Sequence, residues 1–202
     1  MRIKMALPAL CVALLLPAAV AAQPVVYKAD PVHSSVTFTI RHFVSEVDGR
    51  FKDFDGAIKY DAQHPADSSV QFTVQAASIS TGNDDRDKHL KSPDFFDVAK
   101  FPTLSFTSTK VTPKGSNAFD VTGNLTIHGV TKTVTVPASF LGTIKTPQGE
   151  KAGFKSSFTI NRMDYGVAWN RAVEGGGSIL GDEVKIDVKI EASRAAAAAS
   201  SK

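Results

Sequence analysis

Histidine, acidic and glycine residues could supply metal ligands, acid–base groups or a phosphate-binding loop in this chain. The five histidines show no H-x-H, H-E-x-x-H or i, i+4 spacing, and they are His33, His42, His64, His89 and His128. Scattered histidines do not predict a metal site, although residues from separate strands could still assemble one in space. The run Asp84-Asp85-Arg86-Asp87 is explained by helix-start charges and solvated ion pairs.

Nucleophiles and phosphate loops are also missing from the pattern. The single cysteine, Cys11, lies within the apolar N-terminal run, and no serine stands in a G-x-S-x-G elbow. Gly175-Gly176-Gly177 lacks the following Lys and Ser/Thr of a phosphate loop and precedes a predicted strand. The sequence therefore predicts a protein that is not an enzyme and that needs no metal or cofactor.

The first 21 residues have the order of a secretory signal peptide. Arg2 and Lys4 precede a charge-free run that ends in small residues, with an A-x-A-like site after Ala21 or one residue later. A membrane anchor is the alternative, since the run just reaches spanning length, but Pro8 and Pro17 interrupt it. Cys11 lies too early for a lipoprotein site. We expect export to the periplasm and a cleaved signal peptide over 1–21.

The part of the chain after residue 21 is nearly neutral. Removing Arg2 and Lys4 from the 23 basic residues leaves 21 against 20 acidic ones. This balance argues against nucleic acid as a partner and against electrostatic docking on anionic lipid. We expect one domain over 22–192, followed by a disordered alanine-rich tail over 193–202.

Period-two alternation of apolar and polar residues dominates this domain and predicts strands with one dry face. Four clear runs and four weaker ones give eight strands: 36–41, 50–60, 70–75, 102–111, 119–127, 132–144, 151–161 and 184–191. The link His128-Gly129 is typical of a β-hairpin. Eight long antiparallel strands form either a closed barrel or a two-sheet sandwich, and periodicity does not separate these two all-β architectures.

Two segments interrupt the strand pattern. Residues 81–100 predict a short helical insertion with Asn83 as its N-cap, and then a second helical start at Ser92-Pro93. The link 161–181 holds the only tryptophan, Trp169, which we expect to dock, and glycines that predict mobility. Insertions of this length between strands are often functional.

The chain resembles the YceI family of periplasmic, lipocalin-like, polyisoprenoid-binding proteins over about residues 27–192. The resemblance rests on ordered segments along the whole domain, namely Asp30–Phe38, Arg41-His42-Phe43, Gly49–Gly56, Thr81-Gly82-Asn83, Arg86-Asp87, His89-Leu90, Ser92–Asp97, Phe101-Pro102-Thr103, Gly123–Lys132, Asp164-Tyr165-Gly166 and Asp182–Ile186. It implies an eight-stranded antiparallel lipocalin-like barrel rather than a sandwich. The glycine-rich link 168–180 departs from the family pattern and could alter the mouth of a binding site.

The resemblance also implies that the lumen binds, stores or transports a long isoprenoid lipid, of the quinone or polyprenyl phosphate type. The lumen-lining prediction is Phe38, Ile40, Phe72, Val74, Val121, Leu125, Val136, Phe140, Phe154, Phe158, Val184 and Ile186. The candidates for head-group contact are His33, Arg41 and Arg86. Transient membrane contact and a homodimer stay open as further partners.

Two alternatives to a lipid-binding lumen remain at this stage. Eight of the thirteen phenylalanines fall in predicted strands and could simply fill an ordinary core. A filled barrel would act through its surface, as a stress-related or partner-binding protein. An exported enzyme that modifies isoprenoids is the third interpretation, and the missing catalytic spacing speaks against it.

Overall fold

The computed structural model describes residues 24–172, 174 and 176–196. The predicted signal peptide and residues 197–202 lie outside the described residues. The strands are β1 (Val25–Ala29), β2 (Ser35–His42), β3 (Ser45–Phe51), β4 (Phe54–Tyr60), β5 (Ser69–Gln75), β6 (Ile79–Ser80), β7 (Thr103–Pro113), β8 (Ala118–Ile127), β9 (Val130–Thr146), β10 (Gly149–Asn161) and β11 (Leu180–Arg194), with one α-helix, α1 (Asp84–Lys91).

These strands form a closed antiparallel barrel with eight positions, as the resemblance implied. β11 pairs with both β1 and β2, while β4 pairs with β1 and β3 pairs with β2. β1 and β2 therefore share one position in the ring, β3 and β4 share the next, and β5 and β6 share the third. From β7 to β11 each strand pairs with the next one in sequence. The sandwich alternative is wrong because the ring closes without an edge between β11 and β1.

The predicted alternation puts the apolar set inside the barrel. In β8, for example, Phe119, Val121, Gly123, Leu125 and Ile127 are buried, and the residues that alternate with them are more exposed. Cross-strand pairs continue this inner face, as where Phe158 of β10 lies opposite Ile186 of β11. The burial of one face is thus the physical origin of the period of two.

The predicted strand over 50–60 is wrong in one respect, because it breaks at residues 52–53. The backbone N–H of Lys52 donates to the Ser78 carbonyl at 3.2 Å, and that of Gln75 donates to the Asp53 carbonyl at 2.9 Å. These bonds to the neighbouring turn replace the regular ladder and bend the wall of the barrel. The short strand β1, which lacks a clear alternating run, was not predicted.

The predicted tail begins two residues too early. Ser193 and Arg194 are the last residues of β11, where they pair with Lys28 and Tyr27 of β1. The N–H of Ala195 also donates to the Val26 carbonyl at 2.8 Å.

The helical insertion forms as predicted in its first half. The Asn83 side chain accepts a hydrogen bond from the Arg86 N–H at 2.9 Å and caps α1. The second helix is wrong, because residues 92–100 make turns, in which the Asp97 N–H donates to the Ser92 carbonyl. This path sends Phe95 toward Trp169 and Phe96 toward Phe51, so packing against two different clusters overrides the local helix signal.

The connections that join neighbouring positions of the ring divide between its two ends. The β2–β3 turn, the insertion 81–102, the β8–β9 turn and the link 162–179 lie at one end, and the β4–β5, β7–β8 and β9–β10 turns lie at the opposite end. The β1–β2, β3–β4 and β5–β6 links lie within the wall. His128 and Gly129 both have positive φ, and they make the tight hairpin link predicted for them. Among the described residues, no helix has the length and apolar character needed to span a bilayer.

Candidate functional site

The barrel encloses an apolar cavity of about 650 Å³. Its wall comes from nearly every strand of the ring, and α1, residues 95–96 and the link 162–179 close over one end of it. The inner face therefore does not fill its own lumen with side chains, which the filled-barrel alternative required. A volume of this size falls in the range of ~300–1,000 Å³ that small-molecule sites occupy.

Eleven of the twelve residues predicted to line the lumen do line this cavity. They are Phe38, Ile40, Phe72, Val74, Val121, Leu125, Val136, Phe154, Phe158, Val184 and Ile186. The prediction agrees with the structure because every second residue of a strand faces the inside of the barrel. The insertion and the link add apolar wall residues that were not predicted, including Leu90, Phe96, Tyr165 and Val167.

Phe140 is the exception and belongs to the closed end of the barrel. Its ring centroid lies 4.5 Å from that of Tyr60 and 5.5 Å from that of Phe154. Tyr60 also contacts Phe119, and Tyr27 contacts Phe154. We call this group of five rings the aromatic floor. The aromatic floor lies at the end opposite α1. The cavity is therefore bounded by these rings at one end and by α1 and the link 162–179 at the other.

Three inward glycines let phenylalanine rings lie flat against the wall. Gly49 faces Phe38 across β2 and β3, and Gly56 faces Phe72 across β4 and β5. A Cβ atom at either glycine would overlap the facing ring. Gly123 is covered in the same way by Phe106. The absent side chains keep these rings out of the lumen and so preserve its volume.

Trp169 packs over the insertion, as predicted for its part of the link. Its ring centroid lies 5.1 Å from that of His89 and 5.2 Å from that of Phe95. The Nε2 atom of His89 lies 2.8 Å from a carboxylate oxygen of Asp94. All three rings line the cavity, so the emission of this single tryptophan reports on the covered end.

Three polar residues on elements that end or lie at this end of the barrel reach both the cavity and solvent. Asp85 and Arg86 of α1 are exposed, His42 at the end of β2 is partly exposed, and all three line the cavity. We call these three residues the mouth. The Arg86 guanidinium is held in place there, because Nε donates to Thr81 Oγ1 at 2.7 Å and Nη2 donates to the Thr81 carbonyl at 2.9 Å.

Of the predicted head-group residues, only Arg86 lies at the cavity. His33 is on the outer surface, in the turn between β1 and β2, where Nδ1 lies 2.9 Å from Asp30 Oδ2. Arg41 points out of the barrel because its neighbours Ile40 and His42 point in, and its Nη1 donates to the Phe43 carbonyl at 2.9 Å. The prediction for His33 and Arg41 therefore differs from the structure.

Asp87 anchors the insertion on the inner side of α1. Its carboxylate accepts hydrogen bonds from the Thr81 N–H at 2.8 Å and from the Thr81 hydroxyl at 2.6 Å. Burial opposes ionisation of this carboxyl, but the two bonds from Thr81 outweigh it, so the pKa of Asp87 is lowered. The same threonine thus ties Asp87 to Arg86 at the mouth.

We expect Asp87→Asn to reduce the acid sensitivity of folding. A carboxyl whose pKa is lowered in the folded state stabilises that state above about pH 4, and this stabilisation is lost as the pH falls toward the lowered value. Urea unfolding at neutral and acidic pH measures the free energy of unfolding, which should fall less between the two pH values in the variant than in the wild type. Asp84→Asn, an exposed change on the same helix, is the control and should leave the wild-type loss intact. Equal losses in wild type and Asp87→Asn would contradict the assignment.

Arg162 is a buried cation that sequence reasoning missed. Only 4% of the residue is exposed. Nε donates to the Gly181 carbonyl at 2.8 Å, and Nη1 donates to the carbonyls of Val167 at 2.6 Å and Trp169 at 2.9 Å. Burial lowers the pKa of Arg162, while the Asp182 carboxylate, 3.5 Å from Nη2, acts in the opposite direction. This residue fixes the link against β11 at the covered end.

Two groups of histidine and carboxylate side chains lie outside the cavity, among the described residues. In the group Asp30, His33 and Glu191, the Lys151 ammonium lies 3.0 Å from Asp30 Oδ2 and 3.1 Å from Glu191 Oε1. Hydrogen bonds from His33 and Lys151 lower the pKa of Asp30. The second group, Asp61, His64 and Asp67, is a turn in which the His64 and Gln63 N–H groups donate to Asp61. Both groups are explained by local ion pairs and hydrogen bonds.

The family assignment rests on a match that extends over nearly the whole barrel. A family model described as the YceI-like domain matches residues 27–192. The protein belongs to the YceI family. A UPF0312 protein of Pseudomonas fluorescens is 46% identical over 141 residues, which cover 66% of this chain and 71% of that protein.

Solved structures show the same YceI fold. BcnA of Burkholderia cenocepacia has a TM-score of 0.73 and 29% identity, and the match covers 82% of this chain and 99% of BcnA. A domain from Saccharophagus degradans, described as a polyisoprenoid binding domain, has a TM-score of 0.64 with 16% identity over 85% of this chain and 99% of the domain. The second likeness is one of fold alone.

Several residues that carry the resemblance to the YceI family hold connections rather than line the cavity. Asp30 accepts a hydrogen bond from Lys151, and Asp87 accepts two from Thr81. The ring of Phe101 packs on His128 at 4.5 Å and covers Gly129. These contacts set the turns that close the barrel around the cavity.

Proposed function

We propose that this protein binds one long apolar lipid of the isoprenoid class inside the barrel and stores or carries it in the periplasm. The observation that carries the proposal is the apolar cavity of about 650 Å³, which lies above the aromatic floor and has the exposed polar residues of the mouth in its lining. Binding rather than catalysis is the role that such a wall supports. The periplasmic location rests on the signal peptide predicted over 1–21.

The free energy for binding comes from removing the chain of the lipid from water. Each buried methylene contributes about 0.8 kcal/mol, and the wall offers phenylalanine, valine and isoleucine along its whole depth. The chain of a lipid that comes from a membrane is already shielded from water. Its free energy in the cavity must therefore be close to its free energy in the bilayer. Selection then depends on contacts to the head group.

The mouth is the place for those head-group contacts. Arg86 presents a guanidinium there, and His89 of the same helix also lines the cavity. A guanidinium binds phosphate oxygens and also donates to carbonyl oxygens. This chemistry suits both a polyprenyl phosphate and an isoprenoid quinone. We assign the head group to Arg86 and His89 instead of His33 and Arg41, and the chain to the eleven residues of the wall.

The choice of an isoprenoid over other lipids has support from the family. The Saccharophagus degradans domain, which has the same fold, is described as a polyisoprenoid binding domain. The cavity wall is rich in aromatic rings, and these pack against the methyl branches and planar double bonds of an isoprenoid chain. The lipid class is therefore the part of the proposal that an experiment must identify.

Mass spectrometry of the purified protein tests the proposal directly. The protein is purified without detergent from the periplasm of its own cells, and the organic extract is compared with an extract of the same fraction without the protein. We expect about one isoprenoid lipid per protein molecule. We also expect the intact mass of the protein to be that of a chain that begins at Ala22. An empty extract, together with no uptake of added quinone or polyprenol, would overturn the proposal.

A further inference from the structure

The β2–β3 turn exposes two large apolar side chains beside the mouth. Val44 is 103% exposed and Phe43 is 46% exposed. Both follow His42, a residue of the mouth, directly in the chain. We call Phe43 and Val44 the tip. Met163, in the link 162–179, and Val130, the first residue of β9, lie at the same end of the barrel and are also exposed.

The tip is held rigidly although it is exposed. The Phe43 N–H donates to the Ile179 carbonyl at 2.8 Å, and its carbonyl accepts a bond from Arg41 Nη1 at 2.9 Å. Its ring packs edge-on against His42, with centroids 4.7 Å apart. The φ angle of Phe43 is +52°, a conformation that favours glycine and is unfavourable for a bulky side chain. The fold therefore keeps an aromatic ring at a position where glycine would be more stable.

We propose that the tip inserts into the surface of a lipid bilayer and seats the mouth on it while the lipid moves between bilayer and cavity. This proposal rests on the proposed function and names the source of the ligand. The tip adjoins the cavity directly, because both His42 and Ile179, its contacts, line the cavity wall. A lipid that leaves the bilayer beside the tip would enter the barrel without crossing water.

The area of the tip fits a bilayer better than a protein partner or a second copy of this chain. A phenylalanine ring buries at most about 150–250 Å², whereas a stable protein interface needs about 800 Å² from each partner. Two inserted apolar side chains are enough for weak, reversible attachment to a membrane surface, which suits a carrier that must also leave.

The charges around the tip indicate that attachment is apolar rather than electrostatic. Arg41 and Glu46, which flank the tip on β2 and β3, lie opposite each other in the ladder. Opposite charges at this distance largely cancel at the membrane surface. We therefore expect binding to neutral phosphatidylcholine vesicles that changes little between low and high salt.

The variant Phe43→Gly/Val44→Ser tests the tip. It gives the turn the glycine that a positive φ at its first position favours, so we expect a fold at least as stable as the wild type. Flotation with phosphatidylcholine vesicles should show binding reduced about tenfold, since the two inserted side chains are removed. Transfer of a short-tailed ubiquinone from these vesicles, followed by quenching of Trp169, should slow by a similar factor.

Leu141→Ser/Ile144→Ser is the matched control. These side chains are 59% and 65% exposed, but they lie toward the β9–β10 turn at the opposite end of the barrel. The control should float and take up quinone like the wild type. Quinone added without vesicles separates the two proposals. If it enters every variant but the tip variant also floats and transfers normally, the tip proposal fails alone. If neither quinone nor polyprenol enters any variant and the organic extract is empty, the proposed function fails.

Discussion

Replacing Gly49 and Gly56 by alanine is expected to reduce lipid uptake about tenfold or more while leaving the barrel folded. Each new Cβ atom would overlap a phenylalanine ring that now lies flat on the wall, Phe38 or Phe72. The ring is a side chain that can rotate away, and the direction open to it is the cavity. Overpacking of this kind costs about 1–3 kcal/mol, and each 1.4 kcal/mol of lost binding is about tenfold.

Quinone titration by Trp169 quenching measures this loss, with urea unfolding as the check on the fold. Gly123 is unsuitable for the test, because a Cβ atom there would also meet the backbone carbonyl of Thr107. The double variant Gly56→Ala/Phe72→Leu is the matched control, since it removes the displaced ring and should recover uptake. Full uptake by a folded Gly49→Ala/Gly56→Ala protein would show that these rings do not determine the open volume.

Replacing Arg162 by methionine is expected to lower the free energy of unfolding by about 3–5 kcal/mol. Methionine keeps the apolar stem but leaves the carbonyls of Gly181, Val167 and Trp169 without their donors. Arg162→Lys should recover little, because one ammonium does not span three carbonyls as the guanidinium does. The link should loosen first, and the emission of Trp169 should shift to the red before the barrel unfolds.

Asp182→Asn controls for the charge of Arg162. The Asp182 carboxylate is exposed and lies 3.5 Å from Nη2, so its loss should cost less than about 1 kcal/mol. Urea unfolding followed by both tryptophan emission and far-UV circular dichroism resolves the two effects. Native-like emission from Arg162→Met, with unchanged stability, would mean that the link is held by its apolar contacts alone.

The architecture was largely predictable because one physical requirement, a dry inner face, shapes every strand. Alternation identified the inward residues, and this explains why eleven of the twelve wall residues lie at the cavity. The two breaks in the pattern depend on distant partners: residues 52–53 form hydrogen bonds with residues 75–78, and Phe95 and Phe96 pack on Trp169 and Phe51. Local sequence carries no signal for such partners.

The parts of the site that escaped prediction depend on position along or around the barrel. A period of two separates inward from outward residues, but it does not show that Phe140 lies at the aromatic floor. His33 lies outside any alternating run, so the pattern gives no direction for its side chain. The glycine–phenylalanine pairs had a signal, since Gly123 stands at an inward parity between Val121 and Leu125. Arg162 had none, because its three acceptors are set by the path of the link.

The closure of the ring between β11 and β1 has a consequence for how the chain acquires its structure. Residues 27–29 pair with residues 192–194, so the first strand waits for the last one to be synthesised. Contacts between such distant positions give a high contact order, which is associated with folding over milliseconds to seconds. A growing chain therefore stays incomplete until its final strand emerges, and a truncation that removes residues 192–194 would leave β1 without its partner in β11 and open the wall there.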